Sequence, residues 1–357
     1  MLLEQLGWND FFARQLPQDA VAGRVAAAER EHFLVWTADG EIEATVSGRH
    51  RYAPSRWPSV GDWVVLRKNA PVIDVVLAPK SELSRKRPGK GLREQVLAAN
   101  IDVLFIVSGL DHDHNPRRIE RYLVLAAESG ARPVVLLNKA DLAEDFRFDL
   151  NRITEETGQV GSGTPVLAIS ALTGYGLDAI PTLLAPRETA ALIGSSGVGK
   201  STILNRLLGE DRQRTAEVRT GDQRGRHTTT RRELFVMPEG WLLMDLPGLR
   251  ELQLWADPEQ LDSSFDDIRR LAEDCRFRDC THTSEPGCAV RESELDSGRI
   301  ANYLKLQREL AYLDRQNDSR AALEHKRKLK QTMRALRETA AAPAGILNRV
   351  IGRNGIG

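Results

Sequence analysis

The chain has 357 residues, of which 41% are hydrophobic and 28% charged, so it is long enough for two or three globular domains. Its 50 Lys and Arg balance its 50 Asp and Glu, and its three cysteines, an odd number, fit no disulfide framework. Its apolar stretches are far shorter than the roughly 20 residues that cross a bilayer. Because residues 1–12 lack a secretory signal pattern, we expect a cytoplasmic protein without membrane contact.

Short strands are predicted after an N-terminal extension of residues 1–22. They occupy residues 24–28, 33–37, 41–47, 62–67 and 72–77, with polar or glycine-containing turns between them. Five strands in about 55 residues predict a small closed barrel, which we place at residues 23–80. An oligonucleotide-binding (OB) barrel is one candidate, and an SH3-like barrel would give the same pattern.

A basic stretch containing glycine and proline follows the barrel. It carries six Lys or Arg between positions 79 and 93, and it predicts a linker or exposed loop. We place this linker at residues 81–96.

Apolar strands then alternate with helical segments, which predicts an α/β domain with a mainly parallel sheet over residues 97–255. The predicted strands are 101–107, 133–137, 165–169, 190–193, 233–236 and 241–244. The predicted crossover helices are 117–128, 144–157, 177–184 and 200–208.

A phosphate loop is predicted where one of these strands meets a helix. Residues 194–201 read Gly-Ser-Ser-Gly-Val-Gly-Lys-Ser, in which glycines let backbone N–H groups turn toward phosphates. Lys200 would bring positive charge to the β- and γ-phosphates, and the Ser201 hydroxyl would bind Mg²⁺. The predicted contact residues are Gly194, Ser195, Ser196, Gly197, Val198, Gly199, Lys200, Ser201 and Thr202.

Two further motifs follow other strands. Asn138, Lys139 and Asp141 belong to an Asn-Lys-x-Asp motif, whose Asp carboxylate can accept hydrogen bonds from N1–H and the exocyclic amine of guanine but finds no such donor pair on adenine. Lys139 would lay its methylene stem along the base plane. The backbone of Ser170, Ala171 and Leu172 would contact the guanine O6. The nucleotide predicted from these residues is therefore GTP or GDP.

An Asp-x-x-Gly motif ends the strand at 241–244. The Asp245 carboxylate would lie near Mg²⁺, and the Gly248 amide would sense a γ-phosphate. Asn138 precedes Lys200 by 62 positions, whereas the usual nucleotide switch domain has the phosphate loop first. The domain is therefore predicted to be circularly permuted, which folding tolerates when the old termini lie close together.

The three cysteines lie together with a histidine in a Cys-x4-Cys-x-His-x5-Cys pattern. Cys275, Cys280, His282 and Cys288 complete a tetrahedral Zn²⁺ shell with no position open for water, so a structural zinc is predicted. Helical segments at 262–274 and 298–341 flank this pattern, and we place an α-helical zinc-binding domain at residues 256–318.

A basic tail ends the chain. Residues 319–357 contain nine Lys or Arg and two Glu, a net charge of +7, which leaves the rest of the chain at −7. The tail, the basic linker and the barrel together favour RNA contact, although charge alone is equally typical of a solvated helical face. Trp57, Trp63 and Tyr52 are candidate base-stacking residues, and Trp63 fits the barrel core better.

The permuted motifs between a small barrel and a Cys/His cluster resemble the RsgA family, the ribosome small-subunit-dependent GTPase A family. The resemblance implies an OB barrel, a permuted P-loop GTPase domain, a C-terminal zinc domain and action on the small (30S) ribosomal subunit and its rRNA late in maturation, with GTP hydrolysis stimulated by the subunit. We expect a monomer with one structural Zn²⁺ and with Mg²⁺ bound alongside GTP.

The catalytic residues are predicted from a polar loop at residues 221–230. Leu249 stands after the Asp-x-x-Gly motif, where many GTPases have a glutamine that orients water, so His227 is the candidate for that role, as the family resemblance also suggests. Similarity to the family favours Thr229, with Thr228 second, as the loop residue that completes Mg²⁺ coordination. The predicted catalytic set is His227, Lys200 and Thr229. The alternative function is an RNA-binding assembly factor that uses GTP as a conformational ligand with little turnover.

Overall fold

The computed structural model describes residues 2–29, 31–48, 56–86, 94–144, 151–154, 157, 163–209, 232–246, 261–262 and 264–317. The chain divides into two compact units, residues 1–307 and residues 308–357. Of the second unit, the described part is the helical stretch 308–317. Among the described residues, none of the helices combines the length and apolar content needed to cross a bilayer.

The N-terminal region contains a five-stranded barrel. Its strands are β1 (Val21–Glu29), β2 (His32–Thr37), β3 (Gly40–Val46), β4 (Trp63–Leu66) and β5 (Val72–Val76). They run in the order β1-β2-β3-β5-β4, and β4 pairs again with β1 to close the barrel. The five predicted strands are confirmed. The parallel β3–β5 pair belongs to the OB topology and excludes an SH3-like arrangement of antiparallel neighbours.

Alternating apolar residues of these strands fill the barrel, including Val25, Phe33, Val35 and Ile73. Of the three candidate stacking residues, Trp63 is 1% exposed, which places it in the core. Trp57 is half-buried and packs on Phe33, while Tyr52 lies outside the described residues.

The N-terminal extension packs against the barrel. It forms a 3₁₀-helix (Leu3–Leu6) and a short helix α1 (Asp10–Ala13). Asn9 is the N-cap of α1, because its side chain accepts from the Phe11 N–H. Leu6 and Phe12 are buried, and the Phe12 ring lies 5.7 Å from that of Trp63. The extension therefore belongs to the folded body.

The predicted linker is partly wrong, because it contains two strands. Strands β6 (Glu82–Lys86) and β7 (Glu94–Ala99) form an antiparallel pair, and residues 87–93 lie outside the described part of the chain. Leu83 and Leu97 are fully buried, and the Ala99 N–H donates to the Val60 carbonyl. The basic and proline-containing composition of this stretch did not indicate strands, and the buried leucines and the bond to Val60 connect the ribbon to the folded body.

The α/β region forms a sheet in the order β10-β9-β8-β11-β13-β12. Its strands are β8 (Val103–Gly109), β9 (Arg132–Asn138), β10 (Val166–Ala168), β11 (Thr189–Gly194), β12 (Arg232–Val236) and β13 (Leu242–Asp245). All six predicted strands are confirmed. Five are parallel and β12 is antiparallel, so the carboxyl ends of the parallel strands meet at one edge.

Helices cover this sheet. Helix α2 (Pro116–Ser129) begins with Asn115 as its cap and proline at its first position, and helix α3 (Lys200–Leu208) follows the phosphate loop as predicted. The helix predicted at 177–184 is instead a 3₁₀-helix, Leu177–Leu183, because Pro181 lacks the N–H that an α-helix needs there. The helix predicted at 144–157 falls mostly outside the described residues.

The barrel and the α/β sheet are joined through their edges. Strand β1 pairs antiparallel with β12, with Ala27 opposite Glu233 and Ala28 opposite Arg232. One eleven-stranded sheet therefore runs through both parts.

The C-terminal part is helical, with α4 (Asp266–Glu273), α5 (Ala289–Glu292) and α6 (Ser297–Asn317). It contacts α2 through Glu120, whose carboxylate is 1% exposed and accepts from Arg117, Arg299 and Asn302. Arg299 also pairs with Asp267 at 2.7 Å. The basic tail, residues 319–357, lies outside the described residues.

Candidate nucleotide site and metal centre

The phosphate loop connects β11 to α3 and requires glycine at two close approaches. A Cβ at Gly194 would lie 2.4 Å from the Val107 carbonyl oxygen, and one at Gly199, where φ is +100°, would lie 2.3 Å from Asn138 Nδ2. Side chains cannot occupy these positions without displacing neighbours. The backbone can therefore form a cradle at the N-terminus of α3, the geometry in which helix N–H groups receive phosphate.

Lys200 holds its ammonium group at the loop. Its Nζ donates to the carbonyl oxygens of Gly194 at 2.8 Å and Ser195 at 2.7 Å. Ser201 and Thr202 follow in the first turn of α3 and are half-buried. The positive charge and the hydroxyls thus lie where the β- and γ-phosphates of a nucleotide would bind.

Asn138 joins the guanine motif to the phosphate loop. It is 2% exposed at the end of β9, its Nδ2 donates to the Val198 carbonyl at 2.8 Å, and its Oδ1 accepts from the Ala171 N–H at 3.0 Å. One side chain of the guanine motif therefore contacts two other predicted motifs, so the three are joined.

Asp141 and Ser170 form the opposite end of the site. The Ser170 hydroxyl donates to Asp141 Oδ1 at 2.5 Å, and Asp141 remains exposed. Arg206 of α3 donates to the carbonyl oxygens of Ala171 and Leu172, at 3.1 and 2.6 Å. These bonds orient the Ala171 and Leu172 peptides, so an exposed carboxylate and a fixed backbone loop are available for a base.

Asp245 ends β13, the neighbour of β11, with Leu192 in register beside it. It is 4% exposed. The Asp245 carboxylate and the Ser201 hydroxyl are oxygen donors of the kind that Mg²⁺ prefers. The roles of five other residues stay predictions, because these residues lie outside the described part of the chain: Gly248, His227, Thr228, Thr229 and Leu249.

Two acids that the sequence reasoning missed contact this site. Asp111 accepts from Lys139 Nζ at 2.5 Å, and Asp113 accepts from the Ser195 hydroxyl at 2.5 Å. Partial burial opposes ionisation of both carboxyls, but hydrogen bonds outweigh it and lower both pKa values. Asp111 accepts such a bond from Lys139, and Asp113 accepts from Arg118 and Ser195. Both acids follow β8 at the sheet edge where the motifs meet. This position after a predicted strand is the sequence feature that could have identified them as site residues.

The Cys/His pattern forms a compact cluster. The ligand atoms of Cys275, Cys280, His282 and Cys288 all lie within 4.8 Å of one another. Cys275 Sγ lies 3.9 Å from Cys288 Sγ, and His282 Nδ1 lies 3.4 and 3.6 Å from these two sulfurs. Tetrahedral Zn²⁺, with bonds of about 2.3 Å to sulfur and about 2.0 Å to nitrogen, would place its ligands about 3.5 to 3.8 Å apart. The donor set and its spacing fit zinc.

Local bonds shape the loop that carries His282. Glu285 accepts from the Thr281 hydroxyl at 2.6 Å and from the backbone N–H groups of Thr281, Thr283 and Ser284. These bonds lower the pKa of the Glu285 carboxyl to about 2. The loop is therefore held by the protein's own hydrogen bonds, with His282 buried at its centre.

Comparison with known proteins gives the family. A family model described as RsgA GTPase matches residues 76–255. A second model, for ABC transporters, matches residues 177–336, less than half of the chain, and includes the phosphate loop that many nucleotide-binding proteins share.

Curated and solved relatives agree. The chain is 44% identical to the small ribosomal subunit biogenesis GTPase RsgA of Opitutus terrae, over 94% of this chain and 98% of the relative. The crystal structure of YjeQ from Thermotoga maritima matches with 27% identity and a TM-score of 0.60, covering 82% of this chain and 98% of that one. YloQ, described as a circularly permuted GTPase, shares the fold at 23% identity and a TM-score of 0.56, over 82% of this chain and 96% of that one.

The permuted motif order, the phosphate loop and the Cys/His cluster thus occur in a fold that these relatives share. The chain belongs to the RsgA GTPase family, and it is a GTP hydrolase.

Proposed function

We propose that this protein binds the small ribosomal subunit and hydrolyses GTP to GDP and phosphate during late maturation of that subunit. The observation that supports the nucleotide chemistry most strongly is Asn138, which joins the guanine motif and the phosphate loop in one hydrogen-bonded unit. The printed name of the Opitutus terrae relative supports the assignment to the small subunit.

In this proposal each end of the site has a separate task. Asp141 selects guanine, because its exposed carboxylate can accept from the two adjacent guanine donors. Ala171 and Leu172, oriented by Arg206, present backbone toward O6. Lys200 and the N-terminus of α3 stabilise charge on the phosphates.

Ser201 and Thr229 would hold Mg²⁺, which when bound neutralises phosphate charge, and the Asp245 carboxylate would lie near the ion. His227 would position the attacking water, since Leu249 has no group that can do so. Leu249 therefore supports slow hydrolysis by the protein alone, and the family resemblance supports acceleration by the subunit.

The decisive experiment is GTP turnover with and without purified small subunits, using large subunits as the control. We expect acceleration by small subunits only, loss of the accelerated rate in Lys200→Ala, and loss in His227→Ala with nucleotide affinity retained. Equal turnover in wild type and His227→Ala would contradict a catalytic role for His227. Turnover that small subunits leave unchanged would contradict stimulation by the subunit.

A second candidate function is an RNA-binding assembly factor that uses GTP as a conformational ligand. Leu249 favours it, because the usual water-orienting glutamine is missing. GTP-dependent binding to small subunits without turnover would support this second function.

Base selection by Asp141 has its own test, which is competition binding with ADP and GDP in wild type and Asp141→Asn. We expect a wild-type preference for GDP that the variant loses.

We also propose one structural zinc held by Cys275, Cys280, His282 and Cys288, a cytoplasmic location and a monomeric state. Contact with rRNA would involve the basic tail, and it should weaken as salt rises because phosphate contacts release counterions. Subunit binding measured at two salt concentrations, with and without residues 319–357, tests this contact.

A further inference from the structure

Asp111 and Asp113 lie in the segment between β8 and α2 and contact both ends of the nucleotide site. Asp111 is 5% exposed and accepts from Lys139 Nζ at 2.5 Å, while Asp113 accepts from the Ser195 hydroxyl at 2.5 Å. The Asp113 N–H donates to Asp111 Oδ1 at 3.0 Å, so the two acids are neighbours with different partners. Neither acid belongs to the motifs that identify the site.

We propose that Asp111 and Asp113 are positioning residues with different targets. Asp111 aligns Lys139 with the base, and Asp113 fixes the start of the phosphate loop. This inference rests on the proposed function, because it assumes that a guanine nucleotide occupies the site.

The contact of Asp111 restricts a flexible side chain. A lysine has several rotatable bonds, so holding its ammonium group in advance lowers the entropy cost of laying its stem on a base plane. Asp111 holds that group on the side of β8, next to the end of β9 where Lys139 itself has a left-handed φ of +66°. Loss of Asp111 should therefore weaken the contact with the base, whatever the number of phosphates.

The contact of Asp113 acts on the other end. Ser195 is the first residue after Gly194 in the phosphate loop, and its carbonyl accepts from Lys200 Nζ. Asp113 is itself held by Arg118 of α2, Nη1 to Oδ2 at 2.7 Å. Loss of Asp113 should free the loop entrance and weaken the phosphate contacts, with little effect at the base.

The test compares Asp111→Ala and Asp113→Ala in competition binding of GMP, GDP and GTP against a fluorescent GDP. With charge-assisted hydrogen bonds lost, we expect roughly tenfold weaker binding of all three nucleotides in Asp111→Ala, and a similar loss for GDP and GTP but not GMP in Asp113→Ala. Steady-state turnover should show a raised KM and an unchanged kcat in both. Glu239→Ala, an exposed acid between β12 and β13, is the matched control and should match wild type.

Conservative variants separate positioning from folding. Asp111→Asn and Asp113→Asn keep an acceptor oxygen but lose charge, so each should recover part of the affinity while thermal unfolding stays near wild type. The inference would be overturned if both alanine variants lost affinity equally for GMP, GDP and GTP, or if neither lost affinity. The proposed function would still stand if the wild type preferred guanine nucleotides. If the wild type did not prefer GDP to ADP, both the inference and the proposed function would be contradicted.

Discussion

Asn138 Nδ2 donates to the carbonyl oxygen of Val198 at 2.8 Å, across 60 positions of the chain. This contact explains why permutation leaves the site intact: the two motifs meet through the sheet edge, whichever comes first in the sequence. The same side chain accepts from the Ala171 N–H, so its two hydrogen bonds connect three loops.

Replacing Asn138 should weaken nucleotide binding and stability together. Asn138→Ala leaves the Val198 carbonyl and the Ala171 N–H without their partner in a buried place, which costs about 1–3 kcal/mol. Asn138→Asp keeps an acceptor for Ala171 but loses the donor to Val198. Denaturant unfolding and GDP binding should both rank wild type above the two variants. Wild-type GDP affinity in Asn138→Ala would show that the bridge is not needed.

Arg24 should be a large contributor to the stability of the folded body. Its buried guanidinium donates to the Leu6 carbonyl, to the Asn100 carbonyl at 3.3 Å and to the Thr189 hydroxyl at 2.8 Å. Burial lowers the pKa of Arg24 to about 10, so the group stays charged at neutral pH. Arg24→Met leaves several buried acceptors unpaired, and we expect a loss of roughly 2–4 kcal/mol in denaturant unfolding.

The matched control for Arg24 is Arg67, which pairs with Asp74 on the surface with a side chain 53% exposed. Arg67→Met should cost less than about 1 kcal/mol, because solvent screens exposed ion pairs. Equal losses in the two variants would contradict the role assigned to Arg24.

Asp62 should make stability depend on pH in the direction opposite to a usual surface acid. Burial raises the pKa of its carboxyl to about 6, and this exceeds the opposing influence of Arg56 at 2.6 Å and of the Ser59 N–H. The folded protein therefore binds this proton more tightly than the unfolded chain. The contribution is fully present below about pH 4 and is lost as pH rises through about 6.

Asp62→Asn isolates this effect. Between pH 3.5 and pH 7, the free energy of unfolding of wild type should fall by about 3 kcal/mol relative to that of the variant, the equivalent of the pKa shift. The measurement is denaturant unfolding of both proteins across this range. Parallel pH profiles would show that burial does not raise this pKa.

Zinc removal should act locally. Cys288 is 1% exposed and its Sγ lies 3.4 Å from His282 Nδ1, so Cys288→Ser should lower bound zinc from about one equivalent and expose residues 264–292 to protease. Ser284→Ala, an exposed position of the same loop, should retain the metal. Full zinc occupancy in Cys288→Ser would contradict the four-ligand assignment.

The elements of the α/β region follow from local pattern. Helix α3 begins and ends where predicted, because the phosphate-loop glycine precedes it and Gly209, in the left-handed conformation, ends it. Spacing alone also indicated the guanine motif, the phosphate loop and the Cys/His cluster, since each chemistry needs particular residue types close together in the chain. The 3₁₀-helix at Leu177–Leu183 was missed although Pro181 signalled it.

Other features depend on partners that lie far apart in the chain. The parallel β3–β5 pair, which decides for an OB barrel, and the β1–β12 pairing join segments whose local patterns fit several partners. The β6–β7 ribbon pairs consecutive strands but contacts the distant Val60. The contacts of Arg24, Asp111 and Asp113 arise the same way. The sequence by itself determined the binding motifs and most of the strands and helices, though not β6 and β7, because these features depend mainly on near neighbours. Only the tertiary structure decided which strands pair and which acids hold the site, because those choices depend on packing the whole chain at once.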